Sequence, residues 1–425
     1  MKKFLAMLLA LVMALSLVAC GEKKDDTQGD GDGDATAAKV KVGFITLHDE
    51  NSTYDLNFIN AVKKAIEDLG LTEDDYILKT NVPEGQECYE TAMDMVDNGC
   101  NIIFADSFGH EPYMIDAAKE NPDVQFCHST GTRAHTEGLA NYHNAFASIY
   151  EGRYLAGIAA GTKLNEMIEA GKFTAEEAKM GYVGAFTYAE VVSGYTSFYL
   201  GAKSVCPTVT MEVTFTGSWY DETLEKTGAE LLIDRGCKLI SQHADSFGAP
   251  TACQNAGVPN VSYNGSTKNV GADTYIISSR IDWAPYYEYA IKAVMNGTAI
   301  DTDWTGTLAT GSVVLEELNT DVAAAGTAEA IEAAKAKLES GELHVFDVST
   351  FTTKADDTMN TFKVDFLKVD ENGHITSYLA DVDTDEAYTG DTEVVHDGYF
   401  AESEKRSAPY FDLQIDGIEL LNTAM

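Results

Sequence analysis

Between residues 39 and 264 the chain alternates short apolar segments with longer amphipathic ones, and this alternation restricts the possible fold most strongly. Residues 40–45, Val-Lys-Val-Gly-Phe-Ile, have the length and apolar content of a buried strand. Residues 57–69 carry apolar side chains at the spacing of an amphipathic helix. Because successive parallel strands need a crossover connection, repeated strand–helix units predict parallel sheets covered by helices.

The strand–helix units form two runs, separated by a long predicted helix at residues 149–164. The predicted strands cover residues 40–45, 76–80, 101–105 and 124–127 in the first run and residues 181–184, 210–216, 238–241 and 260–263 in the second. We therefore predict an α/β protein with two doubly wound parallel-sheet lobes. We assign residues 39–143 and 278–346 to lobe 1, and residues 144–277 to lobe 2. Residues 347–425 do not continue the alternation of strands and helices, and for them we predict a small, β-rich C-terminal extension.

The N-terminus has the pattern of an export signal. A basic start is followed by the apolar run 4–18, which is short for a membrane span and suits the core of a secretory signal. The run leads into Leu-Val-Ala-Cys-Gly, which resembles the bacterial lipobox, and this makes Cys20 the predicted lipid-attachment residue. We predict a lipoprotein signal peptide at residues 1–20 and a flexible acidic tether at residues 21–38. The mature protein would then sit on the cell membrane, facing the extracellular side or the periplasm.

The charge and the cysteines exclude several functional classes. The chain has 68 acidic and 29 basic residues, a formal charge of −39, so its surface repels phosphate backbones and nucleic acid is not an expected partner. The cysteines after the lipobox form no Cys-x-x-Cys pair, and their apolar neighbours predict buried small hydrophobic side chains. Their spacing leaves any disulfide pairing open for Cys88, Cys100, Cys127, Cys206, Cys237 and Cys253.

No motif for an enzyme, a cofactor or a metal is present. The sequence lacks a phosphate-binding loop, a nucleophile elbow and a His-Glu-x-x-His zinc motif. His243 and Asp245 resemble a base and its orienting acid, but no nucleophile is placed beside them. His128, His135 and His143 do not have ligand spacing on one helix, and we interpret them as surface or loop histidines. We therefore predict a protein without catalytic activity, cofactor or metal.

Aromatic and acidic residues recur where the predicted strands end. They occur in residues 46–55, 106–110, 185–190, 217–221 and 242–248, and residues 264–266, after a further strand, add the amide of Asn264. Open parallel sheets bind ligands beyond the carboxyl ends of their strands. Aromatic faces stack on flat rings, and carboxylate and amide oxygens accept hydrogen bonds from ring N–H groups. The pattern therefore predicts a site for a flat, nitrogen-rich ring.

Several segments together resemble the basic membrane protein (Bmp) family of lipoproteins, the solute-binding components of ABC importers. They are residues 42–45, 81–85, 106–109, 150–157, 190–194, 217–221, 242–246 and 282–287. The resemblance covers about residues 39–346 and implies a type I periplasmic-binding-protein fold, in which two lobes close about a hinge. It implies ABC permease and ATPase subunits as partners. We expect the protein to be a monomer.

The resemblance also implies a ligand, because studied members of the family mostly bind purine nucleosides and others bind adenine or riboflavin. It implies ligand contacts from Tyr54 and Phe108 as stacking rings, Trp219 as a cover from lobe 2, Asp245 and Asn264 bonded to ring or exocyclic nitrogens, and Asp282 and Trp283 near the hinge-side wall. We also expect His243 to bind the ligand. The loop at residues 48–54 departs from the Asp-Lys-Ser-Phe-Asn-like string of nucleoside receptors, which favours a free base such as adenine over a nucleoside. The alternatives are a surface receptor that signals to a partner protein, a riboflavin-type or other small-molecule binder, and an exported nucleoside hydrolase.

Overall fold

The structure, a computed structural model, describes residues 39–356, 365–380, 382, 390 and 392–424. The predicted signal peptide, Cys20 and the tether lie outside these residues. The strands are β1 (Val42–Ile45), β2 (Tyr76–Lys79), β3 (Ile102–Ala105), β4 (Gln125–Ser129), β5 (Tyr142–Ala147), β6 (Lys179–Gly184), β7 (Thr210–Phe215), β8 (Leu239–His243), β9 (Asn260–Tyr263), β10 (Tyr275–Ile281), β11 (Asp303–Gly306), β12 (Val313–Leu315), β13 (Leu367–Val369), β14 (Ile375–Ala380), β15 (Thr392–Glu393), β16 (Val395–His396), β17 (Tyr399–Phe400) and β18 (Ile418–Leu420). The α-helices are α1 (Thr53–Asp68), α2 (Gln86–Asp97), α3 (Glu111–Glu120), α4 (Ala134–Glu137), α5 (Ile149–Glu169), α6 (Ala189–Val205), α7 (Glu222–Asp234), α8 (Gly248–Ala256), α9 (Ala284–Asn296) and α10 (Thr327–Ser340). None of the helices in this part of the chain combines the length and the apolar content that crossing a bilayer requires.

Two sheets organise the fold. The first has the strand order β11-β5-β4-β3-β1-β2, and the second has the order β12-β10-β9-β8-β6-β7-β18. Neighbouring strands are parallel throughout, except that β12 pairs with β10 in the antiparallel direction. In each sheet the first strand of the run lies between the second and the third, so the winding direction reverses beside it. This confirms the predicted fold class, with two doubly wound parallel-sheet lobes.

The chain crosses between the sheets more than once. It leaves the first sheet through α5, returns from β10 through α9 to β11, and then passes to β12 in the second sheet. Such crossings form the kind of connection about which two lobes can close. The predicted lobe boundaries at residues 143 and 277 fall inside β5 and β10, and β12 joins the second sheet although its residues were assigned to lobe 1. A strand's own sequence does not specify which sheet it joins once the chain has crossed.

The local sequence explains why β1, α1 and the helix pair α5–α6 form and pack as they do. All four residues of β1 are buried, as expected for a strand covered by helices on both faces. Ser52 caps α1, since its hydroxyl accepts a hydrogen bond of 3.2 Å from the N–H of Asp55. Helices α5 and α6 approach closely, because a Cβ atom at Gly157 would lie 2.1 Å from the carbonyl oxygen of Phe198. Glycine at this position therefore permits the contact between the two helices.

The C-terminal extension is β-rich, as predicted. Strands β13, β14 and β15 form an antiparallel sheet, and β16 and β17 form a second antiparallel pair. Strand β18 instead joins the second large sheet, where Ile418 pairs with Met211 of β7 in parallel register. The extension is therefore more than an appendage, because its last strand completes one edge of the second lobe.

The six cysteines that follow Cys20 are buried, and within the described residues none of them forms a disulfide. Burial raises the pKa of the Cys237 thiol to about 12 and that of Cys100 to about 11. Thiols with such pKa values stay protonated and unreactive at neutral pH. They pack as small apolar side chains, as the sequence predicts.

Candidate ligand-binding site

A cavity lies between the two sheets, where the carboxyl ends of their strands face each other. It encloses about 360 Å³, part of which is open to solvent. We call it the inner cavity, and it is lined by Leu47, His48, Tyr54, Asp55, Ser107, Phe108, Thr130, Glu190, Trp219, His243, Asp245 and Asn264. These residues lie at the ends of strands or in the segments that follow them, where open parallel sheets bind ligands.

Six of the eight residues predicted as ligand contacts line the inner cavity, namely Tyr54, Phe108, Trp219, His243, Asp245 and Asn264. The structure places Asp282 and Trp283 elsewhere. Asp282 lines a neighbouring pocket with Arg280 and Glu316. Trp283 is 1% exposed and stacks on Phe58 in the core, with ring centroids 4.6 Å apart. The reason is that α9, which begins after Trp283, packs against α1 and turns this ring away from the cavity.

Aromatic rings form one side of the inner cavity and continue beyond it. Phe108 of the first lobe stacks on Tyr188 of the second lobe, with ring centroids 5.1 Å apart and planes inclined by 26°. Phe186 lies 5.1 Å from Tyr188 and 5.0 Å from Trp219. Phe108 is 37% exposed, an unusual position for a large apolar ring. The aromatic cluster therefore spans both lobes and presents ring faces that a planar ligand can cover.

The two lobes are in direct contact around the inner cavity. The backbone N–H and the hydroxyl of Thr53, at the start of α1, donate to the carbonyl oxygen of Asp245 at 2.9 and 3.1 Å. The side-chain amide of Asn57 donates to the carbonyl oxygen of Asn264 at 2.6 Å. Because α1 follows the first sheet and its partners follow the second, these bonds hold the lobes closed.

The inner cavity contains a buried acid beside an amide. The side-chain amide of Asn264 donates to the Asp245 carboxyl group at 3.2 Å. Burial raises the pKa of Asp245 well above its usual range, and the nearby carboxylates of Asp55, Glu225 and Glu190 raise it further. A carboxyl group whose pKa is raised in this way can both donate and accept hydrogen bonds. Asp245 is therefore suited to a ligand that carries N–H groups and bare ring nitrogens side by side.

His243 does not form the acid–base pair suggested by its spacing from Asp245. Its Nε2 lies 3.5 Å from a carboxylate oxygen of Glu190, while Asp245 is bonded to Asn264. Burial lowers the pKa of His243, so the imidazole is neutral at physiological pH. We therefore assign His243 to the lining of the inner cavity and not to a catalytic pair with Asp245.

The prediction that His128, His135 and His143 are surface or loop histidines is wrong for two of them. His128 and His143 lie in β4 and β5 and are 0% and 3% exposed. The Nε2–H of His128 donates to the carbonyl oxygen of Ser107 at 2.7 Å, which supports the loop carrying Phe108. Both strands are buried on their two faces, so histidine here satisfies polar groups inside the lobe.

The family model for Bmp, described as ABC transporter substrate-binding protein PnrA-like, matches residues 43–346. The chain belongs to the Bmp family. Its members are non-enzymatic, extracytoplasmic components of ABC transporters, which bind small-molecule ligands and work with permease and ATPase subunits. This confirms the resemblance read from the sequence and the prediction that the protein is not an enzyme.

Relatives of this Bmp protein differ in the ligands that their names state. A purine-binding protein of Brucella abortus is 33% identical over 263 residues, which cover 61% of this chain and 70% of that protein. An ABC transporter glucose-binding protein of Haloferax volcanii is also 33% identical, over 60% of this chain and 62% of that protein. The structure of an ABC transporter solute-binding protein of Aeropyrum pernix superposes with a TM-score of 0.59 at 19% identity, covering 75% of this chain and 94% of that one, and supports the fold alone.

Some cavity-lining residues of this Bmp protein were not among the predicted contacts. They are Leu47, His48, Asp55, Ser107, Thr130 and Glu190. All except Thr130 lie in strand-end segments that the sequence analysis had identified, so including every residue of those segments would have found them. Thr130 directly follows β4, whose carboxyl end was not searched, and the same strand-end argument would have found it.

Proposed function

We propose that this protein is the substrate-binding lipoprotein of an ABC importer and that it captures a purine-type ligand between its two lobes. The lipid at Cys20 would hold it, as a monomer, on the outer side of the cell membrane. The observation that carries the proposal is the inner cavity itself. It combines aromatic rings from both lobes with the buried Asp245–Asn264 pair at the ends of the strands.

In this proposal both lobes contribute aromatic rings, and the second lobe adds the polar pair. Tyr54 and Phe108 of the first lobe supply ring faces, and Trp219 covers the purine from the second lobe. Asp245 and Asn264 bind the edge of the ring, where a purine alternates N–H donors with bare nitrogen acceptors. Stacking holds any flat ring, whereas the pair of polar residues selects a nitrogen-rich one.

The free base adenine is the simplest ligand of this class and the one favoured by the loop at residues 48–54, with a nucleoside next. The Brucella abortus relative is named as purine-binding, which supports a purine-type ligand. Glucose is the second candidate, because the equally identical Haloferax volcanii relative is named as glucose-binding. The stacked rings from both lobes offer flat faces to a planar ring, and on this ground we place the purine first.

Thermal melting of residues 39–425 tests the ligand class. We expect adenine or another purine, at 100 times its dissociation constant, to stabilise the folded protein by about 2.7 kcal/mol and to raise the melting temperature. Riboflavin, glucose and other sugars at the same concentrations are the comparison compounds. A rise with glucose and none with any purine would overturn the proposal in favour of the second candidate.

A further inference from the structure

Two loops of the second lobe carry rings of the aromatic cluster. The β6 loop, residues 185–188, carries Phe186 and Tyr188. The β7 loop, residues 216–221, carries Trp219, whose ring centroid lies 5.0 Å from that of Phe186 and 6.1 Å from that of Tyr188. Loops are more mobile than the strands that they follow, so a ligand meets these rings in a defined arrangement only if other contacts hold the loops in place.

The segment after β18 holds the start of the β7 loop. We call residues 421–424 the tail segment, and it lies beyond residue 346, where the match to the Bmp family ends. The side-chain oxygen of Asn422 accepts from the backbone N–H of Phe215, the last residue of β7, at 2.7 Å, and its amide donates to the carbonyl oxygen of Phe215 at 2.8 Å. Asn422 thus pairs both backbone groups of this residue, as a neighbouring strand would, and it fixes the backbone from which the β7 loop begins.

The tail segment also holds the β6 loop. The backbone N–H of Thr187 donates to the carbonyl oxygen of Ala424 at 2.7 Å, and the N–H of Ala424 donates to the Thr187 hydroxyl oxygen at 3.0 Å. Thr187 stands between Phe186 and Tyr188 in the sequence, so these bonds fix the backbone that carries both rings. The side chain of Ala424 reaches the β7 loop as well, since a Cβ atom at Gly217 would lie 3.8 Å from its methyl carbon. One segment therefore joins the two loops.

A displacement of either loop would change the surface that the inner cavity presents to a ligand. Trp219 lines the cavity directly. Tyr188 acts on it through Phe108, the cavity-lining ring of the first lobe, since the two ring centroids are 5.1 Å apart. Groups that bind a ligand need to be held within about 0.5 Å of their productive positions. The bonds of the tail segment supply such support, although none of its residues lines the cavity.

We infer that the tail segment positions the aromatic cluster for ligand binding, with Asn422 and Thr187 as the positioning residues. Neither side chain lines the inner cavity, so each acts through the rings whose loops it holds. The effect on affinity rests on the proposed function, whereas the geometry of the cluster can be measured without a ligand. Residues 421–424, which the family match does not cover, thereby have a role in the binding site.

Two measurements on residues 39–425 test the inference. They are calorimetric titration with adenine and adenosine, and quenching of tryptophan emission by acrylamide in the ligand-free protein. Thr187→Val removes the acceptor of the Ala424 N–H but keeps the β-branched shape, and Asn422→Ala removes both bonds to Phe215. We expect each variant to weaken purine binding by roughly fivefold or more and to increase the quenching, because Trp219 becomes more accessible. Combining either variant with Trp219→Phe should abolish the added quenching.

Thr187→Ser and Thr208→Val are the matched controls. Serine keeps the hydroxyl group and should restore both the affinity and the quenching to nearly the unmodified values. The Thr208 hydroxyl donates to the carbonyl oxygen of Ala175 at 2.7 Å, and Thr208 lies at the opposite end of β7 from the β7 loop. Thr208→Val therefore removes a comparable hydrogen bond from the same lobe and should change neither measurement. Melting of each variant without ligand shows whether it is folded.

The outcomes separate this inference from the proposed function. If Thr187→Val and Asn422→Ala match Thr208→Val in both measurements, or if Thr187→Ser binds as weakly as Thr187→Val, the inference is overturned and the purine site stands. A change in only one of the two measurements also overturns it, because the position of the rings would then be unrelated to affinity. If the unmodified protein binds neither adenine nor adenosine, the proposed function is overturned. Greater quenching in both variants than in Thr208→Val then still supports positioning of the aromatic cluster by the tail segment, and equal quenching overturns it.

Discussion

Asp245→Ala and Trp219→Ala are each expected to weaken purine binding by at least about tenfold. Asp245 is 4% exposed and bonded to Asn264, so its loss removes a ligand contact and leaves the amide without its acceptor. Stacking of one base on an aromatic ring contributes about 1–3 kcal/mol in nucleic-acid complexes, and truncation of Trp219 should cost a similar amount. Calorimetric titration with adenine and adenosine measures both losses.

The matched control for Asp245→Ala is Asp234→Ala, which removes an exposed acid at the end of α7 in the same lobe. It removes the same type of side chain from the same lobe but outside the inner cavity, and it should leave the affinity unchanged. Melting of each variant without ligand shows whether it is folded. Unchanged affinity in both Asp245→Ala and Trp219→Ala would falsify the assignment of the inner cavity as the binding site.

Arg153→Ala is expected to lower the free energy of unfolding by about 3 kcal/mol or more. Arg153 of α5 is 0% exposed, and its guanidinium donates to Ser241 Oγ at 2.8 Å and to the carbonyl oxygen of Ser262 at 3.1 Å. It also lies 5.0 Å from the ring centroids of Phe198 and Tyr263. The loss combines hydrogen bonds to a charged donor, at about 1.5–3 kcal/mol each, with a cavity in the core.

Urea unfolding measures this loss, and two further variants separate its causes. Arg153→Met fills much of the space without the charge and should lose less stability than alanine. Lys226→Ala removes a surface cation that lies 4.0 Å from Glu230, and it should change stability by less than about 1 kcal/mol. The account is contradicted if Arg153→Ala remains within about 1 kcal/mol of the unmodified protein, because the buried guanidinium would then contribute little to the second lobe.

The fold could be predicted from the sequence because it depends on two patterns, apolar strands and amphipathic helices, and each pattern is formed by residues close together in the chain. Four-residue apolar strands such as β1 alternate with capped amphipathic helices such as α1, and this pattern specifies parallel sheets without long-range information. The pairing of β18 with β7 could not be predicted from the sequence. About 200 residues separate Ile418 from Met211, and nothing in a three-residue strand identifies such a distant partner.

The candidate site could be predicted from the sequence where its residues follow the carboxyl ends of predicted strands. Asp245 and Asn264 lie in segments that follow predicted strands of the second run, and the family resemblance selected them within those segments. Trp283 also belongs to a segment that resembles the family, but burial against Phe58 depends on how α9 packs, which spacing does not specify. The left-handed backbone of Thr130 could not be foreseen either, because threonine disfavours that conformation and only the surrounding lobe imposes it.

Tryptophan fluorescence tests the central claim, a purine ring bound in the inner cavity, most directly. Of the three tryptophans in the chain, Trp219 alone lines this cavity. We predict that adenine or adenosine causes a saturable change in the emission of residues 39–425. Trp219→Phe should remove most of this change while calorimetry still detects binding, because phenylalanine retains an aromatic face. A saturable response of the same size in Trp219→Phe, or a response to glucose and none to either purine, would contradict the account.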